Sequence, residues 1–131
     1  LRNEMMGNLV PTRFGSAFEI ADIVAKGGHV AFLVDQRRAG SPLVPFFGRP
    51  AQTSTFLATL ARQYDCPVHG VRAIRLPGNR VHIELTPHID LPRDADGLID
   101  VMAATKKIND IVEGWIREHP EQWLWQPRRW R

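Results

Sequence analysis

The amino-acid sequence predicts an α/β fold in which a mixed, mostly parallel sheet is flanked by helices. Its 131 residues suit a single domain, and 44% hydrophobic with 24% charged residues is a balance typical of globular chains. Residues 29–34 read HVAFLV, the near-continuous apolar run expected of a parallel strand covered on both faces. A helical pattern precedes this run, and the alternation of helix and strand favours the α/β class.

The first third of the chain contains a predicted helix, the buried strand and a long loop. Ser16 and Glu19 have the spacing of a capping box, so a helix is expected over residues 17–26, ending at a Gly-Gly pair. After the strand, residues 35–48 are rich in glycine, proline and arginine, which predicts a loop at the strand's carboxyl end. Open α/β sheets bind their ligands at such ends.

The remaining elements are two helices and a hairpin. Apolar spacing predicts a helix over residues 53–64. Two β-rich segments, 68–74 and 80–86, are joined by the turn sequence at 76–79, which predicts a hairpin and makes the sheet mixed. The strongest helical pattern covers residues 98–119. Its apolar face is formed by Ile108, Ile111, Val112, Trp115 and Ile116.

Composition and charge exclude several classes of protein. No apolar run approaches the roughly 20 residues of a membrane helix, and the single cysteine, Cys66, cannot form an internal disulfide or a zinc cluster. The net charge of +3 lies in the last four residues, and residues 1–127 are balanced. A nucleic-acid binder would spread basic residues over a docking face, so no nucleic-acid partner is expected. Binding of RNA or DNA through the Arg/Trp tail is the least favoured alternative.

The histidines offer no catalytic pair or metal site. No histidine is followed four or five positions later by an acidic residue, and no two are spaced four residues apart as helical metal ligands would be. We therefore expect these histidines to be structural and no metal to be bound. The histidines concerned are His29, His69, His82, His88 and His119.

A polar block follows the predicted buried strand directly. Asp35, Gln36, Arg37 and Arg38 place a carboxylate, an amide and two guanidinium groups where they could converge on one polar substrate. In the alternative interpretation, Asp35 caps the loop and both arginines are solvated.

Two aromatic segments are candidates for binding an acyl chain or a headgroup. Phe46 and Phe47 lie between a proline and a glycine, which suits either the wall of an acyl-chain groove or a flap that packs on the core. The ending, residues 120–131, interleaves tryptophan with arginine, including Arg128 and Arg129. Such a segment can stack guanidinium on indole or lie at a membrane interface, or it can pack its tryptophans on the core.

The chain contains an ordered set of short motifs. They are Asp35-Gln36, residues 44–51 with Thr53, Cys66-Pro67-Val68, Ile108-Asn109 with Val112-Glu113, and residues 120–125 with Arg128-Arg129. This set resembles the carboxyl-terminal half of bacterial lipid A biosynthesis lauroyl/myristoyl acyltransferases, members of the lysophospholipid acyltransferase superfamily. The resemblance extends from about Gly7 onward.

The resemblance implies a glycerolipid-acyltransferase-like fold and a direct transfer reaction. In that family a histidine, followed after four residues by Asp or Glu, deprotonates an acceptor hydroxyl. The hydroxyl attacks the thioester of an acyl carrier protein or of acyl-CoA, and no cofactor is needed. Because no such pair occurs in residues 1–131, we expect the pair and a membrane anchor upstream of Leu1. The chain would then be a soluble, incomplete and inactive portion of one acyltransferase domain.

The resemblance also implies roles for individual residues. Asp35 and Gln36 match the block that positions the lipid acceptor, and Arg128 and Arg129 match a tail pair that we expect to contact anionic headgroups or the acidic carrier protein. Candidates for lipid phosphates are the nearby Arg37, Arg38 and Arg49. The full-length protein is expected at the cytoplasmic face of the bacterial inner membrane.

Two alternatives to the lipid A precursor reaction stay open at this point. The acceptor could be another glycolipid, such as a phosphatidylinositol mannoside. The chain could also be a catalytically dead module that binds lipid or carrier protein.

Overall fold

The computed structural model describes residues 9–10, 15–125 and 128–130. The chain divides into two compact units, Leu1–Phe32 and Leu33–Arg131. The candidate site residues all belong to the second unit.

The described part of the first unit contains one helix, α1, at Ser16–Ala25. Its N-cap is Gly15, which has a φ of 91°, a left-handed conformation that glycine adopts without a steric penalty. Ser16 is the first residue of the helix and not its N-cap, so the predicted capping box, which requires Ser16 at the N-cap, is wrong. The expected apolar face is not a core face, because no residue described in α1 is buried and Phe18 is 79% exposed.

The predicted buried strand at residues 29–34 is wrong. The structure has no strand there, and Leu33 is 80% exposed. A strand forms only when a neighbour accepts and donates its backbone hydrogen bonds, and no strand in the described part of the chain pairs with this segment. A mostly parallel sheet is therefore not observed among the described residues, and both sheets present are antiparallel.

The second unit contains a hairpin whose first strand and turn lie in the predicted loop at residues 35–48, so that part of the loop prediction is wrong. Strand β1, Leu43–Phe46, pairs antiparallel with β2, Arg49–Gln52. Phe47 and Gly48 form the turn with φ values of 51° and 70°, the positive pair required by a type I′ turn. The sequence pattern did not predict this hairpin. Phenylalanine is not typical of the first position of such a turn, and proline is not typical of either strand.

The later elements agree well with prediction. Helix α2 occupies Phe56–Tyr64, and the predicted hairpin is confirmed as β3, Val71–Leu76, paired with β4, Arg80–Leu85. Helix α3 occupies Val101–Glu118, where the carboxylate of Asp100 caps its first turn. A short 3-10 helix, Pro120–Gln122, follows.

Two hydrophobic clusters hold the second unit together. The first joins α2 and α3 to the connection between β4 and α3. The second packs the β1–β2 hairpin on α3 and on tryptophans of the carboxyl-terminal segment, and its buried members are Phe46, Ala51, Val112 and Ile116. This second cluster supports the candidate site.

Within the described ranges, no helix has the length and apolar character needed to cross a bilayer.

Candidate functional site

Asp35 is held by a tryptophan from the far end of the chain. Its Oδ2 accepts a hydrogen bond from the indole Nε1 of Trp123 at 3.0 Å, and both residues are half-buried. A carboxylate that receives a donated hydrogen bond in a partly buried setting has a restricted orientation. Trp123 lies in one of the motifs that carry the family resemblance, but the sequence alone predicted no role for its side chain.

The rest of the polar block runs beside the end of β2. Arg37 forms an isolated antiparallel bridge with Thr53, and its Nε donates to Oε1 of Gln52 at 3.0 Å. The backbone N–H of Arg38 donates to the carbonyl of Gln52 at 3.3 Å. Gln36, Arg37 and Arg38 are all exposed. The structure thus brings the four predicted residues to one place and leaves three of them facing solvent.

Arg129, predicted to contact a headgroup or carrier protein, is buried instead, with 2% of its surface exposed. Its Nη1 donates to the carbonyl of Gln52 at 2.9 Å and its Nη2 to Oγ1 of Thr53 at 2.8 Å, while the guanidinium stacks over the ring of Phe46 at 4.7 Å. A side chain so engaged has no free face for a partner. Arg129 is therefore not available for the predicted contact with a headgroup or with the carrier protein.

Asp35 supplies charge compensation to this buried guanidinium. Burial lowers the pKa of Arg129, and the charge of Asp35 opposes that effect, as expected for an anion near a desolvated cation. The Nε of Arg129 has no hydrogen-bond partner within the described part of the chain. Asp35 is therefore linked to the carboxyl-terminal segment twice, by a hydrogen bond and by charge.

Phe46 and Phe47 have different environments. Phe46 is fully buried in the second cluster, so it belongs to the core, whereas Phe47 is half-buried. The guanidinium of Arg117 lies 4.7 Å above the Phe47 ring. Only Phe47 keeps a surface that an acyl chain could touch.

Two polar residues of α3 clamp the hairpin turn. Nδ2 of Asn109 donates to the carbonyl of Pro45 at 2.9 Å, and Oε1 of Glu113 accepts from the backbone N–H of Phe47 at 2.7 Å. Sequence reasoning assigned no role to either residue. The sequence did indicate these contacts. An amide and a carboxylate four residues apart on the apolar face of a helix require buried hydrogen-bond partners.

The tryptophans of the tail pack on this turn. Rings of Phe46 and Trp130 lie 5.7 Å apart and those of Trp123 and Trp125 lie 4.5 Å apart, within the range of favourable aromatic pairs. The Nε1 of Trp130 donates to the carbonyl of Phe46 at 2.9 Å. Trp123 and Trp130 therefore pack on the core, as one interpretation of the tail expected, whereas Trp125 is 52% exposed.

Like Arg37 and Arg38, two further candidate arginines lie at the surface. Arg49 is exposed, with its guanidinium 5.7 Å from the ring centre of Trp130, and Arg128 is also exposed. Both have guanidinium groups accessible to an anion.

No other chemistry competes with this site among the residues that the structure describes. They contain no group of three or more His, Cys, Asp or Glu side chains placed to hold a metal. A cavity of about 150 Å³ beside Cys66 and His88 is smaller than typical ligand pockets of about 300–1,000 Å³. None of the predicted site residues lines it.

Fold and site together describe a mixed helix and strand domain that presents an Asp-Gln-Arg-Arg block against an aromatic cluster. The whole chain, residues 1–131, matches the family described as bacterial lipid A biosynthesis acyltransferase. The chain belongs to this acyltransferase family, and the resemblance stated from its motifs is confirmed. A search of curated proteins found no match.

Proposed function

We propose that this chain supplies the acceptor-positioning part of an enzyme that transfers a fatty acyl group to a hydroxyl of a lipid A precursor. The observation that carries the proposal is the fixed carboxylate of Asp35 with the exposed Gln36, Arg37 and Arg38 beside it. A carboxylate held in one orientation can accept a hydrogen bond from a sugar hydroxyl. The neighbouring guanidinium groups suit phosphate.

We propose a direct transfer reaction, which membership of an acyltransferase family supports. An imidazole removes the proton of the acceptor hydroxyl, and the oxygen attacks the thioester carbonyl of an acyl carrier protein or acyl-CoA. The carbon–sulfur bond then breaks, and the departing thiolate takes the proton from the imidazolium and leaves as a thiol. Since no histidine in these 131 residues has an acidic residue five positions later, we propose that the catalytic pair comes from polypeptide outside them. The chain by itself is then inactive.

Anionic groups of the acceptor are proposed to meet the exposed arginines. Arg37, Arg38 and Arg49 are the candidates for lipid phosphates, and Arg128 is the candidate for a headgroup or for the acidic carrier protein. These contacts fit a protein that works at the cytoplasmic face of the bacterial inner membrane.

The test is an Asp35→Asn substitution in the complete enzyme that contains this chain. We expect the KM for the lipid A precursor to rise about tenfold, since a charge-assisted hydrogen bond contributes about 1.5–3 kcal/mol, while the KM for the acyl carrier protein donor stays unchanged. The control is Asp96→Asn, which changes an exposed aspartate far along the chain in the connection before α3. If Asp35→Asn behaves like Asp96→Asn, the proposed role of Asp35 is wrong.

Acceptor identity is decided by supplying alternatives to the same enzyme. A lipid A precursor and a phosphatidylinositol mannoside both offer hydroxyls and phosphate, so both acceptors are assayed with the same donor. Transfer to the second alone would reassign the acceptor. Binding of lipid or carrier without any transfer would identify a catalytically dead module.

A further inference from the structure

The carboxyl-terminal segment reaches the Asp35 block at two points, although the residues are far apart in sequence. Trp123 is 88 positions from Asp35 and donates to its carboxylate. Arg129 donates hydrogen bonds to Gln52 and Thr53. The same two residues also contact the polar block. Gln52 accepts hydrogen bonds from the Arg37 side chain and the Arg38 backbone N–H, and Thr53 forms a β-bridge with Arg37. One segment therefore contacts both the acid and the strand end beside it.

The direction of the Trp123 N–H is set by packing. Its ring lies 4.5 Å from that of Trp125, nearly perpendicular to it, and 5.9 Å from that of Phe46. Phe46 is itself fully buried. An indole held against a buried ring has few alternative rotamers, so its donor points at Oδ2 of Asp35 before any acceptor arrives.

Preorganisation of this kind affects binding rather than chemistry. If Asp35 were free to rotate, part of the acceptor's binding energy would be spent on ordering the carboxylate. A carboxylate has two oxygens and can accept several hydrogen bonds. Oδ2 can thus remain with Trp123 while the other lone pairs receive the substrate hydroxyl.

We propose that Trp123 is a positioning residue, which orients the carboxylate of Asp35 for binding of the acceptor hydroxyl. Arg129 stabilises the adjacent end of β2 through its hydrogen bonds to Gln52 and Thr53. The inference rests on the proposed function, because it assigns Asp35 to the acceptor. It adds a role for the carboxyl-terminal segment in acceptor recognition without direct contact between that segment and the lipid.

The chain offers a matched pair of tryptophans for the test. Trp123→Phe and Trp130→Phe each remove one indole N–H donor from the same aromatic cluster while keeping a ring. The donor of Trp123 binds the Asp35 carboxylate, whereas that of Trp130 binds the carbonyl of Phe46. Any effect common to both variants reports packing, and any difference reports the contact with Asp35.

Both variants are made in the complete enzyme, and acceptor KM, donor KM and kcat are measured with a lipid A precursor and an acyl carrier protein donor. We expect Trp123→Phe to raise the acceptor KM about tenfold, with kcat and donor KM within about twofold of the parent. We expect Trp130→Phe to change the acceptor KM by less than about twofold. In an Asp35→Ala background, Trp123→Phe should have no further effect on acceptor KM, because residues acting through one contact are not additive.

Each contrary result has a distinct meaning. If Asp35→Ala impairs acceptor binding but Trp123→Phe matches Trp130→Phe, the positioning proposal is overturned and the proposed function stands. If Trp123→Phe acts equally with and without Asp35, or lowers stability and all kinetic constants together, its role is structural and the proposal is again overturned. An unimpaired Asp35→Ala enzyme refutes both.

Discussion

Replacing the two neighbouring arginines of the tail separates a structural from a surface role. Arg129→Met keeps an unbranched apolar stem against Phe46 but removes the guanidinium, and Arg128→Met is its matched control at an exposed position. The first variant is expected to lose much of the free energy of unfolding. The second is expected to stay within about 0.5 kcal/mol of the parent, as surface substitutions usually do.

The magnitude for Arg129 follows from its partners. Two hydrogen bonds from a charged donor, to Gln52 and Thr53, contribute about 1.5–3 kcal/mol each. After their loss the carbonyl of Gln52 keeps the hydrogen bond from the Arg38 N–H and the hydroxyl of Thr53 keeps its bond to the carbonyl of Ala51, which limits the cost. Desolvation opposes the gain from the two hydrogen bonds, as the lowered pKa of Arg129 indicates. We therefore expect a net loss of about 2–3 kcal/mol, below the 3–5 kcal/mol that follows when a buried ion pair is broken.

The assay is urea unfolding of the purified protein, followed by tryptophan fluorescence. Tryptophans of the affected cluster surround Phe46, so the fluorescence reports the region that the substitution perturbs. The slope of the transition must remain that of the parent for the difference in free energy to be meaningful. If Arg129→Met loses no more stability than Arg128→Met, the buried anchoring role described for Arg129 is refuted.

Three further predictions concern stability. Gly114→Ala should raise the free energy of unfolding by about 0.5–1 kcal/mol, because Gly114 lies inside α3 with open space around a new methyl group. By contrast, Gly70→Ala should lower the free energy of unfolding by about 1–3 kcal/mol, because its Cβ would lie 2.6 Å from the Trp115 ring. Thermal unfolding should therefore give a higher midpoint temperature for Gly114→Ala and a lower one for Gly70→Ala. Equal shifts of the two midpoints would contradict both predictions. The hydrogen bond from Arg62 holds the pKa of Asp94 below its ordinary value of 3.8, so its stabilisation is present above that pH and is lost as the pH falls through the lowered pKa. Urea unfolding of the parent and Asp94→Asn should show a difference at neutral pH that shrinks as the pH falls below 3.8, and a constant difference would show that this pair does not govern acid stability.

Local sequence patterns predicted the elements that depend on local forces. Helix α3 follows from the spacing of Ile108, Val112 and Ile116, and the β3–β4 hairpin follows from the turn sequence between two β-rich segments. These patterns act within a few residues, so they are visible without knowledge of the fold.

The failures involve elements whose structure depends on distant partners. Residues 29–34 have the composition of a buried strand but no pairing strand among the described residues. The β1–β2 hairpin was concealed by its prolines, and its turn is held by Asn109 and Glu113 of α3. Neither outcome can be derived from the residues of the segment itself, because the required hydrogen-bond partners come from elsewhere in the chain.

The sequence by itself determined the acyltransferase family, the helix with the strongest apolar periodicity and the location of the polar block at Asp35, because ordered motifs and local periodicity are properties of the linear chain. Only the tertiary structure decided that Arg129 is buried while Arg128 is exposed, and that Trp123 holds Asp35. Adjacent arginines have identical chemistry, and burial depends on which side of the chain meets the core. A contact across 88 residues likewise requires the fold that brings its two ends together.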